Sequence, residues 1–272
     1  MERIVNTRKG TISRSIMKRQ NNSNFSQPPR LTIILGSFLE VLTHEIIYTR
    51  SLYPHDAFSP TRHYGVACHA CRHPDVVDYI FETLQVAVSG IVSGLIDGLY
   101  LIFYDAETDI LLERYALEFQ LDETVKIVES QSAHGDAQDV NEREELEKKI
   151  QELERSLRDV LLKVVSLNGT DLGRKRGQGN FSASTTFKLC LHTVEASSPV
   201  NAPNGQCPEL DEAMREGKWF RADSESCSFD NSSITAPDMI DGGGTGSLTR
   251  PLKSINVPSC GLKLQLLIEF PT

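Results

Sequence analysis

The sequence predicts an α+β domain built around an antiparallel sheet. Three segments repeat apolar residues every three or four positions, as amphipathic helices do. Four others are almost wholly apolar or alternate apolar with polar residues, as strands do. With 272 residues and 39% hydrophobic content, the chain can bury one substantial core, and its length allows one or two domains.

Two helices are predicted in the first hundred residues. The first ends near Pro54, and its apolar stripe consists of Leu31, Leu35, Phe38, Leu42 and Ile46. The second begins at Pro74, because proline is favoured in the first turn of a helix and Asp75 there complements the helix dipole. Its stripe consists of Val77, Ile80, Leu84, Val88, Ile91 and Leu95.

A third, longer helix is predicted for residues 141–165. Its apolar residues follow a strict four-three spacing, with charged residues elsewhere: Leu146, Ile150, Leu153, Leu157, Val160 and Val164. Such spacing also occurs in coiled-coil dimers, but fewer than three heptads are present. We therefore favour packing of this helix onto the sheet of its own chain over a dimer seam.

The strands are predicted as one hairpin and two further segments. Residues 99–104 are apolar, residues 110–121 alternate, and the polar residues 105–109 between them suit a hairpin connection. Residues 185–194 and 262–270 also alternate with a period of two. The hairpin is expected to form the antiparallel centre of the sheet.

The charge of the chain is uneven. Residues 1–30 contain seven basic residues and one acidic residue, whereas the remainder contains 21 basic and 36 acidic residues. An acidic body repels phosphate, so a broad nucleic-acid interface on the folded part is not expected. Residues 1–30, the basic tail, are predicted to be a disordered extension that could serve as a nuclear import signal. Alternatively, the tail is a mitochondrial transit peptide, since it is rich in Arg and Ser and poor in acidic residues.

The C-terminal third differs in composition from the rest. Residues 196–217 are predicted to be loop-like, and residues 224–249 are rich in Ser, Asp and Gly and are predicted to be disordered. Two short apolar islands interrupt these stretches, Trp219-Phe220 and Pro251-Leu252. This pattern is typical of a mobile arm with anchor points.

No motif predicts catalysis or cofactor binding. The sequence has no phosphate loop, nucleophile elbow, metalloprotease helix or dinucleotide fingerprint, so we predict neither an enzyme nor a cofactor. A zinc-dependent nucleic-acid module is the alternative of another class, because five potential ligands lie within eleven residues: His63, Cys68, His69, Cys71 and His73. A structural zinc site needs a second pair of ligands, and none of comparable spacing follows. We therefore predict no metal.

The segment from Val86 to Tyr104 is not predicted to cross a membrane. Its only charged residue is Asp97, which by itself would suit a membrane span. Glycines at 90, 94 and 98 instead favour a helix end, a turn and a strand.

Six blocks in a fixed order resemble one family. They are the helix that contains FLEV and its YTRSLYP exit, the Cys71, His73, Pro74 and Asp78-Tyr79-Ile80 segment, SLRDVLLKV at 156–164, LHTVEA at 191–196, the Lys218–Asp223 segment and the Arg250–Lys253 segment. This arrangement resembles the HORMA domain family, and within it the branch of accessory subunits of DNA polymerase zeta. The resemblance covers roughly residues 31–270.

The resemblance implies a HORMA fold, which is a central antiparallel sheet backed by three helices with a mobile C-terminal safety belt. The core would comprise residues 31–195 and the belt residues 196–272. The belt would close over an extended partner peptide. Tyr79 and Trp219 match the aromatic walls of that peptide site. The implied function is a non-catalytic adaptor in translesion DNA synthesis that captures a peptide of the catalytic subunit of DNA polymerase zeta.

Two further surfaces follow from the resemblance. Leu252, Gln265 and Leu267 match positions that bind the C-terminal domain of the Y-family scaffold polymerase. Arg158 matches a position near the surface through which HORMA domains self-associate. A spindle-checkpoint or meiotic HORMA adaptor is the alternative within the same fold. The expected localisation is the nucleus, and also the mitochondrion if the tail is a transit peptide.

Overall fold

The computed structural model describes residues 2–6, 30–122, 124–125, 140–167, 181–194, 207–217, 219–222 and 248–271. Within these ranges the helices are α1 (Arg30–Thr49), α2 (Pro74–Val92), α3 (Val140–Val165) and α4 (Pro208–Arg215). The strands are β1 (Glu2–Asn6), β2 (Phe58–His63), β3 (Val66–Cys71), β4 (Ile96–Asp105), β5 (Leu111–Leu121), β6 (Thr185–Thr193), β7 (Trp219–Ala222), β8 (Leu248–Val257) and β9 (Leu262–Phe270).

Among the described residues, the main sheet has seven strands in the order β7-β1-β6-β4-β5-β9-β8, and each neighbouring pair is antiparallel. The predicted hairpin of β4 and β5 lies at its centre, as expected. Strands β2 and β3 form a separate two-stranded ribbon. The α+β fold class with an antiparallel sheet is therefore confirmed.

The core lies between one face of this sheet and the helices. Buried residues of α1, α2 and α3 share one cluster with the inward-facing residues of β4, β5, β6 and β9. In α3 the predicted stripe is buried in that cluster from Leu153 to Val164, so the helix packs onto its own sheet and not in a coiled-coil seam. Helix α1 is long and apolar enough to cross a membrane, but 61% of its most apolar stretch is buried inside the protein, as in a core helix.

The connection from α2 to β4 is the helix end, turn and strand that its glycines predicted. Gly94 has a φ of 76°, a left-handed conformation that glycine adopts without strain. At Gly90, a Cβ atom would lie 2.2 Å from Cδ1 of Ile96, so only glycine lets the helix approach β4 this closely. The segment is thus part of the globular core.

The structure bears on three predictions for segments outside the core. Residues 2–6, predicted as part of a disordered extension, form β1, whereas residues 7–29 lie outside the described residues. The segment 196–217, predicted as a loop, contains α4, which starts at a proline and carries acidic residues in its first turn. Of the insertion 224–249, predicted to be disordered, Leu248 and Thr249 belong to β8 and the rest lies outside the described residues.

One ion pair is buried where α1 ends against the sheet. Arg50 Nη2 donates to Glu113 Oε2 of β5 at 2.6 Å, and the two side chains are only 6% and 2% exposed. The guanidinium also lies over the ring of Phe181, 5.8 Å from its centroid. Because both charges are removed from water, each depends on the other for compensation.

His44 of α1 should make the protein less stable in mild acid. It is 4% exposed, and burial lowers its pKa from 6.5 to about 4. Between pH 6.5 and about pH 4, the His44 side chain is therefore mostly protonated in the unfolded chain and mostly neutral in the folded chain. We expect this residue alone to remove about 2 kcal/mol from the free energy of unfolding between pH 7.5 and pH 5.

Urea unfolding of the wild type and His44→Leu at the two pH values checks this expectation. The other titrating groups are common to both proteins, so their contributions cancel in the comparison. The variant should lose about 2 kcal/mol less than the wild type. An equal loss in both proteins would show that His44 takes up its proton in the folded state.

Candidate functional site

The candidate site is a channel between β6 and β7, and β1 lies in it. Both neighbours run antiparallel to β1, with Ile4 opposite Leu191 on one side and opposite Arg221 on the other. Strands β6 and β7 are therefore parallel to each other and are separated by one strand. The channel thus accepts an extended segment that pairs along both of its edges.

Tyr79 of α2 lies where the pairing between β1 and β6 stops. The last pair is Val5 with Cys190, and at the next residue of β6 the backbone N–H of Leu189 donates to the Tyr79 hydroxyl at 3.0 Å. The Tyr79 ring also packs edge-to-face on Phe187, with centroids 5.6 Å apart. Burial raises the pKa of the Tyr79 phenol, so the hydroxyl stays neutral and can act as a fixed hydrogen-bond partner at this edge.

Trp219 begins β7 and lies directly opposite Asn6, the last residue of β1. It is only 2% exposed and belongs to the main core cluster. The turn before it depends on Gly217, whose φ is 67°. Since Asn6 follows the residue that pairs with Cys190, both predicted aromatic residues, Tyr79 and Trp219, lie at the same end of the channel.

Helix α4 connects the outer wall of the channel to the core. It precedes β7 and packs on α2, where Ser89 Oγ donates to Glu209 Oε2 at 2.9 Å. Two residues of α4, Leu210 and Ala213, are buried in the main cluster. Strand β7, the outer wall of the channel, is therefore anchored through α4 to α2, the helix that carries Tyr79.

The C-terminal segment contributes strands to both edges of the sheet. Strand β7 is outermost on one side, while β9 pairs with β5 on the other side and β8 pairs with β9. The C-terminal segment therefore places strands at both edges of the sheet, and β1 of the same chain lies between β7 and β6.

The three residues predicted for the second surface are not all on one face. Gln265 and Leu267 share the face of β9 that points away from the helices, opposite Glu118 and Ala116 of β5. Leu252 instead belongs to the main core, because β8 has an irregularity between Pro251 and Lys253. The residue of β8 opposite Leu267 is Pro251.

A cleft of about 640 Å³ adjoins this face. Gln265 lines it together with ionisable residues of four strands, namely Asp97, Glu118, His192 and Lys263. His192 Nδ1 lies 2.5 Å from Asp97 Oδ1, so the imidazole and the carboxylate are partners. The second surface therefore has a polar, charged part around Gln265 and an apolar part formed by Leu267, Ala116 and Pro251.

Arg158 lies on α3, in the helix layer, and is exposed. Its Nη1 atom would be 3.5 Å from a Cβ placed on Gly65, at the turn of the ribbon between β2 and β3. The structure therefore places Arg158 on a different face from the channel and from the outer surface of β9.

The residues of the zinc alternative form part of this ribbon. Cys68 and Cys71 are buried in the core, and burial raises the pKa of the Cys68 thiol to about 11, which disfavours the thiolate that binds zinc. His69 stacks on Tyr48, with centroids 3.5 Å apart, and its backbone N–H donates to Glu45 at 2.7 Å. In the described part of the chain, no three His, Cys, Asp or Glu residues are placed to share a metal ion.

Sequence reasoning missed two parts of the channel. The first is β1, whose local signal is the adjacent β-branched pair Ile4-Val5. The second is Phe187, which lies in a predicted strand but whose contact with the Tyr79 ring no sequence pattern indicated.

Comparisons with known proteins identify relatives of the chain. It is 39% identical to the DNA polymerase zeta processivity subunit of Schizosaccharomyces pombe over 61 residues, which is 22% of this chain and 29% of that protein. It is 26% identical to the subunit of the same name in Arabidopsis thaliana over 105 residues, 39% of this chain and 47% of that one. These matches therefore span less than half the length of either relative. The mitotic spindle assembly checkpoint protein MAD2B of Gallus gallus is 24% identical over 87% of this chain and 89% of its own length.

Solved structures share the fold at low sequence identity. A chain in the crystal structure of the mitotic checkpoint complex superposes with a TM-score of 0.56 and 12% identity over 89% of this chain and 99% of that one. C. elegans HTP-2 bound to the HIM-3 closure motif gives a TM-score of 0.52 and 14% identity over 89% and 90% of the two chains. The sequence model of the HORMA domain matches residues 33–171, just over half of the chain. This chain is therefore a member of the HORMA domain family.

Proposed function

We propose that this chain is a non-catalytic adaptor that captures an extended peptide of the catalytic subunit of DNA polymerase zeta. One observation carries the proposal: a channel one strand wide, between β6 and β7, already holds an extended segment in antiparallel pairing on both sides. Its end is flanked by Tyr79 and Trp219, the two residues that match the aromatic walls of the family's peptide site.

Capture would rest on backbone pairing along both edges of the channel. The edge of β6 and the inner edge of β7 offer N–H and C=O groups that must be paired, and an inserted strand satisfies both rows. Side chains at the Asn6 end of the channel would contact Tyr79 and Trp219. Because β7 covers the peptide and is tied to the core through α4, release requires the wall to move, so dissociation should be slow.

The polymerase assignment is supported by the sequence relatives. Two of them carry the name of DNA polymerase zeta processivity subunit. The role in translesion synthesis, the captured peptide and nuclear localisation are parts of the proposal.

A second contact would bridge the captured subunit to the Y-family scaffold polymerase. We propose the outer face of β9, with Gln265 and Leu267, as the surface for its C-terminal domain, and Pro251 as their neighbour on β8. Leu252 is buried in the core, so it would support this surface from beneath. Arg158, exposed on another face, is left accessible for self-association with a second HORMA domain.

A peptide scan tests the proposal. Overlapping synthetic peptides of about 25 residues, covering the catalytic subunit of polymerase zeta from the same organism, are labelled and titrated with the full chain by fluorescence anisotropy. We expect at least one peptide to bind with a Kd of about 1 μM or lower. Failure of every peptide to bind, with the chain folded, would contradict the proposal.

The alternative within the family is a spindle-checkpoint or meiotic adaptor. It is favoured by the match to MAD2B over most of both chains. The same scan with peptides from checkpoint and meiotic-axis proteins separates the two. Tight binding confined to those peptides would assign the chain to the alternative, and binding confined to polymerase peptides would support the proposal.

A further inference from the structure

Residues 2–6 lie where the proposed partner peptide must bind. They form a strand between β6 and β7, with four residue pairs on each side. Every position that a captured peptide would need for backbone pairing with β7 is therefore taken. We propose that this segment is an internal ligand of the channel, which a partner peptide has to displace. The inference rests on the proposed function and adds a regulation of the same site.

The pairing explains why the segment would stay in place. The N–H groups of alternate residues in a strand point to the same edge, and that of Leu189 points into the channel, towards Tyr79. The N–H of Leu191 therefore also points into the channel, where it faces Ile4. Without β1, this edge of β6 and the whole inner edge of β7 would lose their pairing partners.

Charge favours the same arrangement. Residues 1–30 contain seven basic residues and one acidic residue, while the rest of the chain has an excess of acidic residues, 36 against 21. A basic tail and an acidic body attract each other, which raises the local concentration of the tail at the body. Residues 7–29 join β1 directly to α1, so the segment and the channel are also held together covalently.

Covalent attachment makes even a weakly binding internal ligand a strong competitor for the channel. A ligand segment that is covalently joined to its own site has an effective concentration on the order of 1 mM. If its intrinsic Kd is about 100 μM, a competing peptide loses about tenfold in apparent affinity. Weakly binding peptides would therefore fail to displace the internal strand, whereas tightly binding peptides would displace it.

Disulfide trapping tests the position of the segment. Position 5 lies directly opposite the native Cys190. The N–H groups of Leu189 and Leu191 point into the channel, so position 190 faces position 5 in a pair without mutual hydrogen bonds, the closer of the two antiparallel pair types. The full-chain variant Val5→Cys should therefore form a disulfide with Cys190 on mild oxidation with diamide, read by non-reducing electrophoresis and peptide mass spectrometry. The matched control is Ile4→Cys, which is one residue out of register with Cys190.

A cross-link within one chain in Val5→Cys, and at least tenfold less in Ile4→Cys, supports the proposal. Equal yields in the two variants, no cross-link, or a cross-link between two chains would overturn it. The last result would mean that the channel holds the segment of a second copy.

Competition tests the regulatory consequence. The probe is a labelled synthetic peptide with the sequence of residues 1–10 of this chain, MERIVNTRKG. The double variant Ile4→Pro/Val5→Pro removes two donors from the internal strand while keeping the full chain, and it should bind the probe about tenfold or more tightly than the wild type. The matched control carries prolines at Ile12 and Ser13, beyond the end of β1, and should behave as the wild type.

Equal binding of the probe by the wild type and the Ile4→Pro/Val5→Pro variant, or no binding by either, would overturn the proposal. Neither result affects the proposed function, which the peptides of the catalytic subunit test separately. Binding of those peptides together with an unchanged affinity in the proline variant would leave the adaptor function standing and remove the internal ligand.

Discussion

Replacing Trp219 with alanine should abolish peptide capture and also lower the free energy of unfolding by about 3–5 kcal/mol. The tryptophan is only 2% exposed and joins β7 to the main core cluster. The family resemblance matched Trp219 only to an aromatic wall of the peptide site. Its burial shows that it is also a core residue. Loss of the ring therefore removes both the contact and the support of the wall that carries it.

Denaturant unfolding and peptide anisotropy measure the two effects of Trp219→Ala. The matched control is Phe81→Ala, because Phe81 is a large aromatic residue on α2 that is 50% exposed. This control should change stability by less than about 0.5 kcal/mol and leave binding unchanged. A Trp219→Ala protein with the stability and peptide affinity of the wild type would contradict the described position of β7.

Replacing Glu113 with alanine should cost about 3–5 kcal/mol of stability, because it leaves Arg50 as a buried charge without its carboxylate. The two side chains are 6% and 2% exposed and their charged atoms lie 2.6 Å apart. Water therefore cannot replace the missing partner. The loss is expected in denaturant unfolding at neutral pH.

Two controls separate the buried charge from lost packing. The double variant Arg50→Met/Glu113→Leu removes both charges and should recover most of the lost stability. Glu147→Ala breaks the pair with Arg30, whose side chains are about half exposed, and should cost less than about 1 kcal/mol. A loss below about 1 kcal/mol in Glu113→Ala would mean that Arg50 finds compensation elsewhere.

Local patterns were sufficient to predict the helices of the core and the central strands. Pro74 correctly marked the start of α2, because the preference for proline at a helix N-terminus depends only on the first turn. The stripe of α3 correctly indicated a buried face, since periodicity reports burial directly. Strand β9 was predicted with its observed bounds, because five apolar residues alternate along it.

The elements that build the channel could not be predicted from local pattern. Strand β1 is five residues long, and its pairing depends on β6 and β7, which lie about 190 and 215 residues further along the chain. Helix α4 is eight residues long and is stabilised by its packing on α2. Such elements are determined by tertiary contacts that a short window of sequence does not contain.

For the candidate site, the family resemblance selected residues that the local sequence does not single out. Tyr79 and Trp219 lie at one end of the channel, although nothing in their local sequence distinguishes them from core aromatics. Leu252 was grouped with Gln265 and Leu267, but an irregularity in β8 turns it into the core. Period-two alternation predicts the face of a residue only while the register is unbroken.

The central claim is that the channel between β6 and β7 binds one extended strand at a time. The most direct test is the yield of the disulfide between positions 5 and 190 in Val5→Cys, measured while a tightly binding peptide from the scan is added. We predict that the yield falls in proportion to the fraction of chain bound and reaches background at saturation. An unchanged yield at saturation would show that the peptide binds elsewhere on the protein.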